Sequence, residues 1–297
     1  MFADEPRVPG VELEHRYADL EGVRLHYVEA GRGPLVVLLH GFPEFWYSWR
    51  FQLPALVEAG YRVVAPDGRG YNLSGKPRGV GSYRVEALAR DVRDLVFHLG
   101  ESRTALVGHD WGAAVAWVAA MRHPEVVGRL AVLNVPHPER FLRGLLSPEQ
   151  LLRSWYVFAL QAPGPPGRLV ERLVFRWVRS GWRRDPARPG TFTESDIHHY
   201  TQAMSRPGAL RCAADYYRAL FRRNPLRIAR EMRPVEAPTL VVWGERDRYL
   251  MPTLAEPDPA WVPDLRVVRL PEASHWVQQD SPEEVNEALL NFLGEDR

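Results

Sequence analysis

The 297 residues are 45% hydrophobic and 25% charged with a net charge of +1, the profile of an ordinary globular chain with enough apolar material for a sizeable core. The near-neutral balance removes the electrostatic case for nucleic acid, and no run of about 18 apolar residues marks a membrane helix. A single cysteine, Cys212, excludes an internal disulfide and a cysteine-built metal site.

Residues 1–10 carry charges and two prolines without an apolar segment, which predicts a cytoplasmic chain. The Asn72-Leu73-Ser74 match to the glycosylation triplet is then coincidental. Residues 15–29 alternate loosely around Glu21-Gly22, as an N-terminal hairpin does. Residues 35–39 are continuously apolar, the mark of a strand covered on both faces, and lead into His40-Gly41-Phe42-Pro43-Glu44. Residues 61–66 predict another strand. The Asp67-Gly68-Arg69-Gly70 loop after it has the spacing of neither a dinucleotide nor a Walker loop. Leu88, Val92, Leu95 and Val96 fall at helical intervals, with Gly100 as a stop. Strands are predicted over 104–107 and 130–135, with a tightly packed helix over 113–120 between them. This alternation implies a doubly wound, mostly parallel sheet with helices on both faces.

The pattern then changes. From Pro138 to about Arg233 no convincing strand signal appears, and aromatic, Leu and Arg residues recur at helical spacings around breaks at 163–167 and 189–190. Residues 139–233 hold 18 Arg against 8 Asp plus Glu, which fits scattered arginines on helical surfaces or a site for anionic ligands. Strands resume at 238–244 and 265–270, and Ser281-Pro282 opens a last helix through Phe292. The expected organisation is a core of residues 1–137 and 234–297, interrupted by a helical cap of residues 138–233.

The chemistry concentrates at Gly108-His109-Asp110-Trp111-Gly112. A residue on a sharp strand-to-helix turn is thrust out at the carboxyl end of the sheet, with glycines relieving the crowding around it. With aspartate in place of serine at such an elbow, attack gives an alkyl ester of a carboxylate, which points to a saturated carbon as target. An aspartate there also suits a helix N-cap. Backbone N–H groups of Phe42 and Trp111 are placed to form an oxyanion hole. Asp247, in Gly244-Glu245-Arg246-Asp247, and His275, in Ser274-His275-Trp276, complete the order nucleophile, acid, histidine. Asp247 would orient His275, which would act as general base on water, since a carboxylate nucleophile has no proton to lose. No cofactor or metal is expected: His198-His199 is adjacent rather than i,i+4, and no H-E-x-x-H occurs.

On His40-Gly41-Phe42-Pro43, the Asp110 elbow and the Asp247 and His275 segments, the chain resembles the α/β-hydrolase-fold epoxide hydrolases over essentially its whole length. The resemblance implies an α/β-hydrolase fold and conversion of epoxides to vicinal diols, with two cap tyrosines, Tyr156 and Tyr217, hydrogen-bonding the epoxide oxygen. Tyr216 is the neighbouring alternative to Tyr217. Phenols, with an ordinary pKa near 10, can donate to a developing alkoxide. The implied substrate pocket holds His40, Phe42, Pro43, Trp111, Leu160 and Trp276. Leu160-Gln161-Ala162-Pro163-Gly164 departs from the family's Phe-Gln-Glu-Pro-Gly in a way that touches pocket lining. The expected partner is a small epoxide, with no nucleic acid or membrane, in a monomer or homodimer. Haloalkane dehalogenases share the Asp elbow and following Trp. Haloacetate dehalogenases share the HGFP loop but have Arg where this chain has Trp111. A non-catalytic ligand receptor on the same fold is a third alternative, against which a complete triad argues.

Overall fold

The computed structural model describes residues 5–222 and 230–295. Residues 1–4 of the segment read for a leader, and residues 223–229 of the expected helical cap, lie outside the described residues.

The strands are β1 Glu14–Leu20, β2 Val23–Ala30, β3 Leu35–Leu39, β4 Arg62–Pro66, β5 Thr104–His109, β6 Val127–Leu133, β7 Thr239–Gly244 and β8 Leu265–Leu270. They form one sheet in the order β1-β2-β4-β3-β5-β6-β7-β8. The β1/β2 and β2/β4 pairs are antiparallel, and the pairs from β4 through β8 are parallel. The expected hairpin turns at Glu21-Gly22, where Gly22 has φ +74°. Burial follows position in the sheet. Interior strands β3 and β7 are buried at every residue, whereas edge strand β8 has no fully buried residue and exposes Arg266 and Arg269.

Helices cover the sheet. They are α1 Gln52–Glu58, α2 Val85–His98 and α3 Trp111–Arg122 on the N-terminal side, and α10 Val277–Asp280 and α11 Pro282–Gly294 at the C-terminal end. The small residues of α3, including buried Ala113, Ala116 and Ala119, let it pack closely against β5 and β6. Helices α1 and α10 carry no sequence signal of their own. Both are short, and both form where tertiary packing holds them.

Between β6 and β7 the described residues hold no strand. They form α4 Pro138–Gly144, α5 Pro148–Arg153, α6 Trp155–Ala159, α7 Gly164–Arg184, α8 Glu194–Ser205 and α9 Ala209–Leu220. The break expected at 163–167 is instead the first turn of α7, because proline is tolerated where the N–H has no intrahelical partner. The helical segment is fastened to the rest of the chain by buried polar contacts. Tyr200 OH accepts from Arg50 Nη1 at 3.0 Å, Tyr47 OH donates to Asp196 at 3.1 Å, and Tyr249 OH donates to Asp185 at 2.8 Å. Asn72 is buried, at φ +34°, donating to Asp67 and Glu5, so it offers no surface for a glycan.

Candidate active site

Asp110 sits between β5 and α3 with φ +48° and ψ −124°, a conformation that non-glycine residues adopt at a cost of order 1–3 kcal/mol and keep only where the surroundings impose it. Those surroundings are tight. A Cβ on Gly112 would run into the Leu39 carbonyl, and one on Gly41 would overlap the Asp110 side chain. Asp110 stands at the N-cap position of α3, as its residue type suits, but its side chain makes no cap hydrogen bond to the helix. Instead its Oδ1 accepts from the Phe42 N–H at 2.6 Å, and its Oδ2 lies 3.5 Å from His275 Nε2. Burial opposes its charge, but the hydrogen bond and charge of His275, then His109 and the Phe42 N–H, hold the carboxyl below its ordinary range.

His275 follows β8 and donates through Nδ1 to Asp247 Oδ2 at 2.7 Å. Burial disfavours the imidazolium, yet Asp247 and the Asp110 hydrogen bond outweigh it and raise His275 to about 10. Asp247 is itself held by four donors: His275, Asn134 Nδ2 at 2.8 Å, and the N–H groups of Tyr249 and Leu250 at 2.7 and 3.0 Å.

Three further residues position this array, and the sequence reading passed over all of them. Asn134, at φ +49° just past β6, clasps the end of β7 by accepting from Gly244 N at 2.8 Å while donating to Asp247. His109 Nε2 donates to the His275 carbonyl at 2.8 Å, and its Nδ1 faces Glu44 at 3.1 Å. Asp280 accepts from Ser274 N at 2.8 Å, fixing the loop that carries His275. The signals were present as a polar residue at a strand end, a histidine inside the elbow and an aspartate two residues before the proline of a predicted helix start. None had a partner identifiable in one dimension.

A cavity of about 190 Å³ opens over Asp110 and His275. Its walls are largely apolar, including Val118, Met121, Phe141 and Leu250, and Tyr156 and Tyr217 face the carboxylate from the helical side. Their rings meet edge to face at 5.7 Å. Burial raises both phenols well above their ordinary range. For Tyr156 the charges of Asp110 and Asp247 add to it and a hydrogen bond with Tyr217 opposes it; for Tyr217, Tyr156 and Asp110 add to it. Tyr216 also touches the cavity, but its OH donates to the Arg69 carbonyl at 2.7 Å, so its hydroxyl is engaged away from Asp110.

Of the six residues expected to line the pocket, Trp111 does so; His40, Phe42, Pro43, Leu160 and Trp276 do not. Phe42 offers Asp110 its backbone and packs its ring on Tyr217. His40 accepts from Gly68 N, and Trp276 is 1% exposed against Trp182 and Phe192. Pro43 and Leu160 are buried in packing. Among the described residues no group of three or more His, Cys, Asp or Glu could hold a metal ion.

A family model described as the alpha/beta hydrolase fold matches residues 34–282. The AB hydrolase superfamily protein YfhM of Bacillus subtilis is 38% identical over 94% of this chain and 97% of its own. Human epoxide hydrolase 4 is 40% identical over 93% of this chain and 77% of its own. The crystal structure of epoxide hydrolase A from Mycobacterium thermoresistibile superposes with a TM-score of 0.81 at 34% identity, covering 96% of this chain and 99% of that one. An Asp elbow on an eight-stranded sheet, matched along nearly its full length by such relatives, places the chain in the α/β-hydrolase-fold epoxide hydrolase family.

Proposed function

We propose that this protein hydrolyses epoxides to vicinal diols through a covalent ester on Asp110, with residues 138–233 acting as a cap over a core of residues 1–137 and 234–297. The observation that carries the reading is the opposition, across one apolar cavity, of an ionised elbow carboxylate and two neutral phenols. Similarity to proteins named epoxide hydrolases supports it.

In the first step an Asp110 oxygen attacks an epoxide carbon, the carbon–oxygen bond breaks, and its electron pair stays on the oxygen. Tyr156 and Tyr217 donate to that oxygen, and one of them gives up its proton. Esterification removes the Asp110 charge and acceptor that had helped to hold His275 protonated, so the imidazolium loses its proton and restores the phenol. Neutral His275, oriented by Asp247, then takes a proton from water as the water oxygen adds to the Asp110 carboxyl carbon. The Phe42 and Trp111 N–H groups receive the oxyanion. Collapse expels the diol oxygen, which takes the carboxyl proton, and the Asp110–His275 ion pair is regenerated. A departing halide would need no proton, so the phenol pair favours epoxide over alkyl halide.

A single turnover with enzyme in excess in oxygen-18 water tests the covalent step. The first diol is expected to be mostly unlabelled, with label in the Asp110 peptide and released in later turnovers. A fully labelled first diol would reassign Asp110 as a general base for direct water attack.

A further inference from the structure

Charge is partitioned along this chain. Residues 139–233 hold 18 Arg and 8 acidic residues, which leaves 20 basic against 29 acidic elsewhere, a net +10 beside a net −9. Part of the positive charge is matched locally: Arg218 pairs with Glu171 and Asp215, and Arg183 with Glu194. On the outer face of α7 it is not. Arg168, Arg172 and Arg176 are exposed and make no ion pair with a described carboxylate.

Beside these arginines lie Leu169 and Leu173, 58% and 51% exposed, and half-buried Trp177, at i, i+4 and i+8. The opposite face of α7, with Val174, Phe175, Val178 and Trp182, already supplies the packing that holds the helix down. The outer leucines are therefore surplus to the fold. The stripe continues onto α6 and α5, because Trp177 meets Trp155 at 5.1 Å, and Trp155 and Leu152 are 46% and 75% exposed. At its foot a cavity of about 260 Å³ is lined by Trp155 and Trp177 together with Arg153, Arg184 and Arg248. Tyr249 is shared between this cavity and the active-site cavity, so the stripe lies one side chain away from the candidate site.

We propose that this face docks the protein on the surface of a bilayer containing anionic phospholipid. Single exposed leucines are unremarkable, but a continuous apolar stripe set among unpaired guanidinium groups marks an interaction surface. Leu and Trp suit the boundary between headgroups and acyl chains, and guanidinium groups match lipid phosphates as bidentate donors. Hydropathy alone predicts no membrane partner, and among the described residues no helix is long and apolar enough to cross a bilayer. Docking needs only one face, and a near-zero total charge conceals the local excess.

The test is flotation of the full chain with vesicles of phosphatidylcholine alone or mixed with phosphatidylglycerol at low salt. Binding is expected only to the phosphatidylglycerol vesicles, and it should be lost in roughly 1 M salt, where the screening length falls to about 3 Å. Replacing Arg172 and Arg176 by Gln should weaken it about 30-fold. Leu169→Ser with Leu173→Ser should weaken it at unchanged thermal stability and unchanged turnover of a water-soluble epoxide. Absence of binding to phosphatidylglycerol vesicles, or variants that bind like the parent, would overturn the proposal. So would a dimer in sedimentation velocity that the Leu169/Leu173 variant dissolves, which would assign the stripe to a second copy of the chain.

Discussion

The two walls of the active-site cavity are built on opposite principles. On the sheet side every reacting group is charged and pinned by several hydrogen bonds from strand ends: Asp247 has four donors, and Asp110 has the Phe42 N–H and His275. On the helical side the groups are neutral phenols seated among aromatic rings, with Tyr217 touching Trp111, Tyr156 and Phe42. A charge in a low-dielectric site must be supported continuously, and parallel strand ends supply converging backbone donors for that. A phenol needs only an apolar seat, which helices give readily.

The difference ranks the effects of substitution. Asp110→Asn should have the largest effect, abolishing ester formation as measured by intact-protein mass after mixing with a reactive epoxide. His275→Gln should leave alkylation standing and stop hydrolysis, so the same measurement should find the alkylated mass accumulating. An unmodified mass with saturating epoxide would break the division of labour between the two residues. Tyr156→Phe and Tyr217→Phe should each slow ester formation by about 10²- to 10⁴-fold in stopped-flow kinetics, toward the lower figure because the partner phenol remains. Asn134→Ala should cost about tenfold in hydrolysis with KM little changed, since it removes one of four supports of Asp247. Tyr216→Phe should cost only about 1 kcal/mol of stability in urea unfolding and little rate, having lost one hydrogen bond to Arg69.

The pH dependence of stability sharpens the contrast. His275 titrates at about 10 in the folded chain against 6.5 as a free side chain. A raised value means that its ion pair contributes fully below pH 6.5 and is lost as pH climbs through about 10. Urea unfolding at pH 7 and pH 10 should therefore show a drop that His275→Gln reduces. The phenols contribute no comparable slope below pH 10, because burial keeps them protonated there.

Legibility in the sequence followed the same divide. The strands were readable because continuous apolar runs such as Leu35–Leu39 have no other use in a chain of this kind. Asp110, Asp247 and His275 were readable because a strand end followed by a turn is a defined local context. Asn134 also stands at a strand end, but it and Asp280 acquire meaning only through partners 110 and 6 residues away, Gly244 and Ser274. The pocket wall escaped for a related reason. It is assembled from α3, α4, α6 and α9 together, and no single periodicity says which faces converge.

Tyr216 and Tyr217 stand side by side on α9, yet one hydroxyl is tied to Arg69 and the other faces the cavity. Consecutive helical residues are separated by about 100° of rotation, so the seat of the first, its ring packed on Tyr71, Tyr83 and Trp111 as well as its tether, works as an angular index for the second. It tells the helix how far to turn about its own axis. An inserted or deleted residue before Tyr216 in α9 would thus be resolved in one of two ways. Either the helix keeps its index and displaces its own start, or it slips by one position and presents the cavity with the wrong side chain.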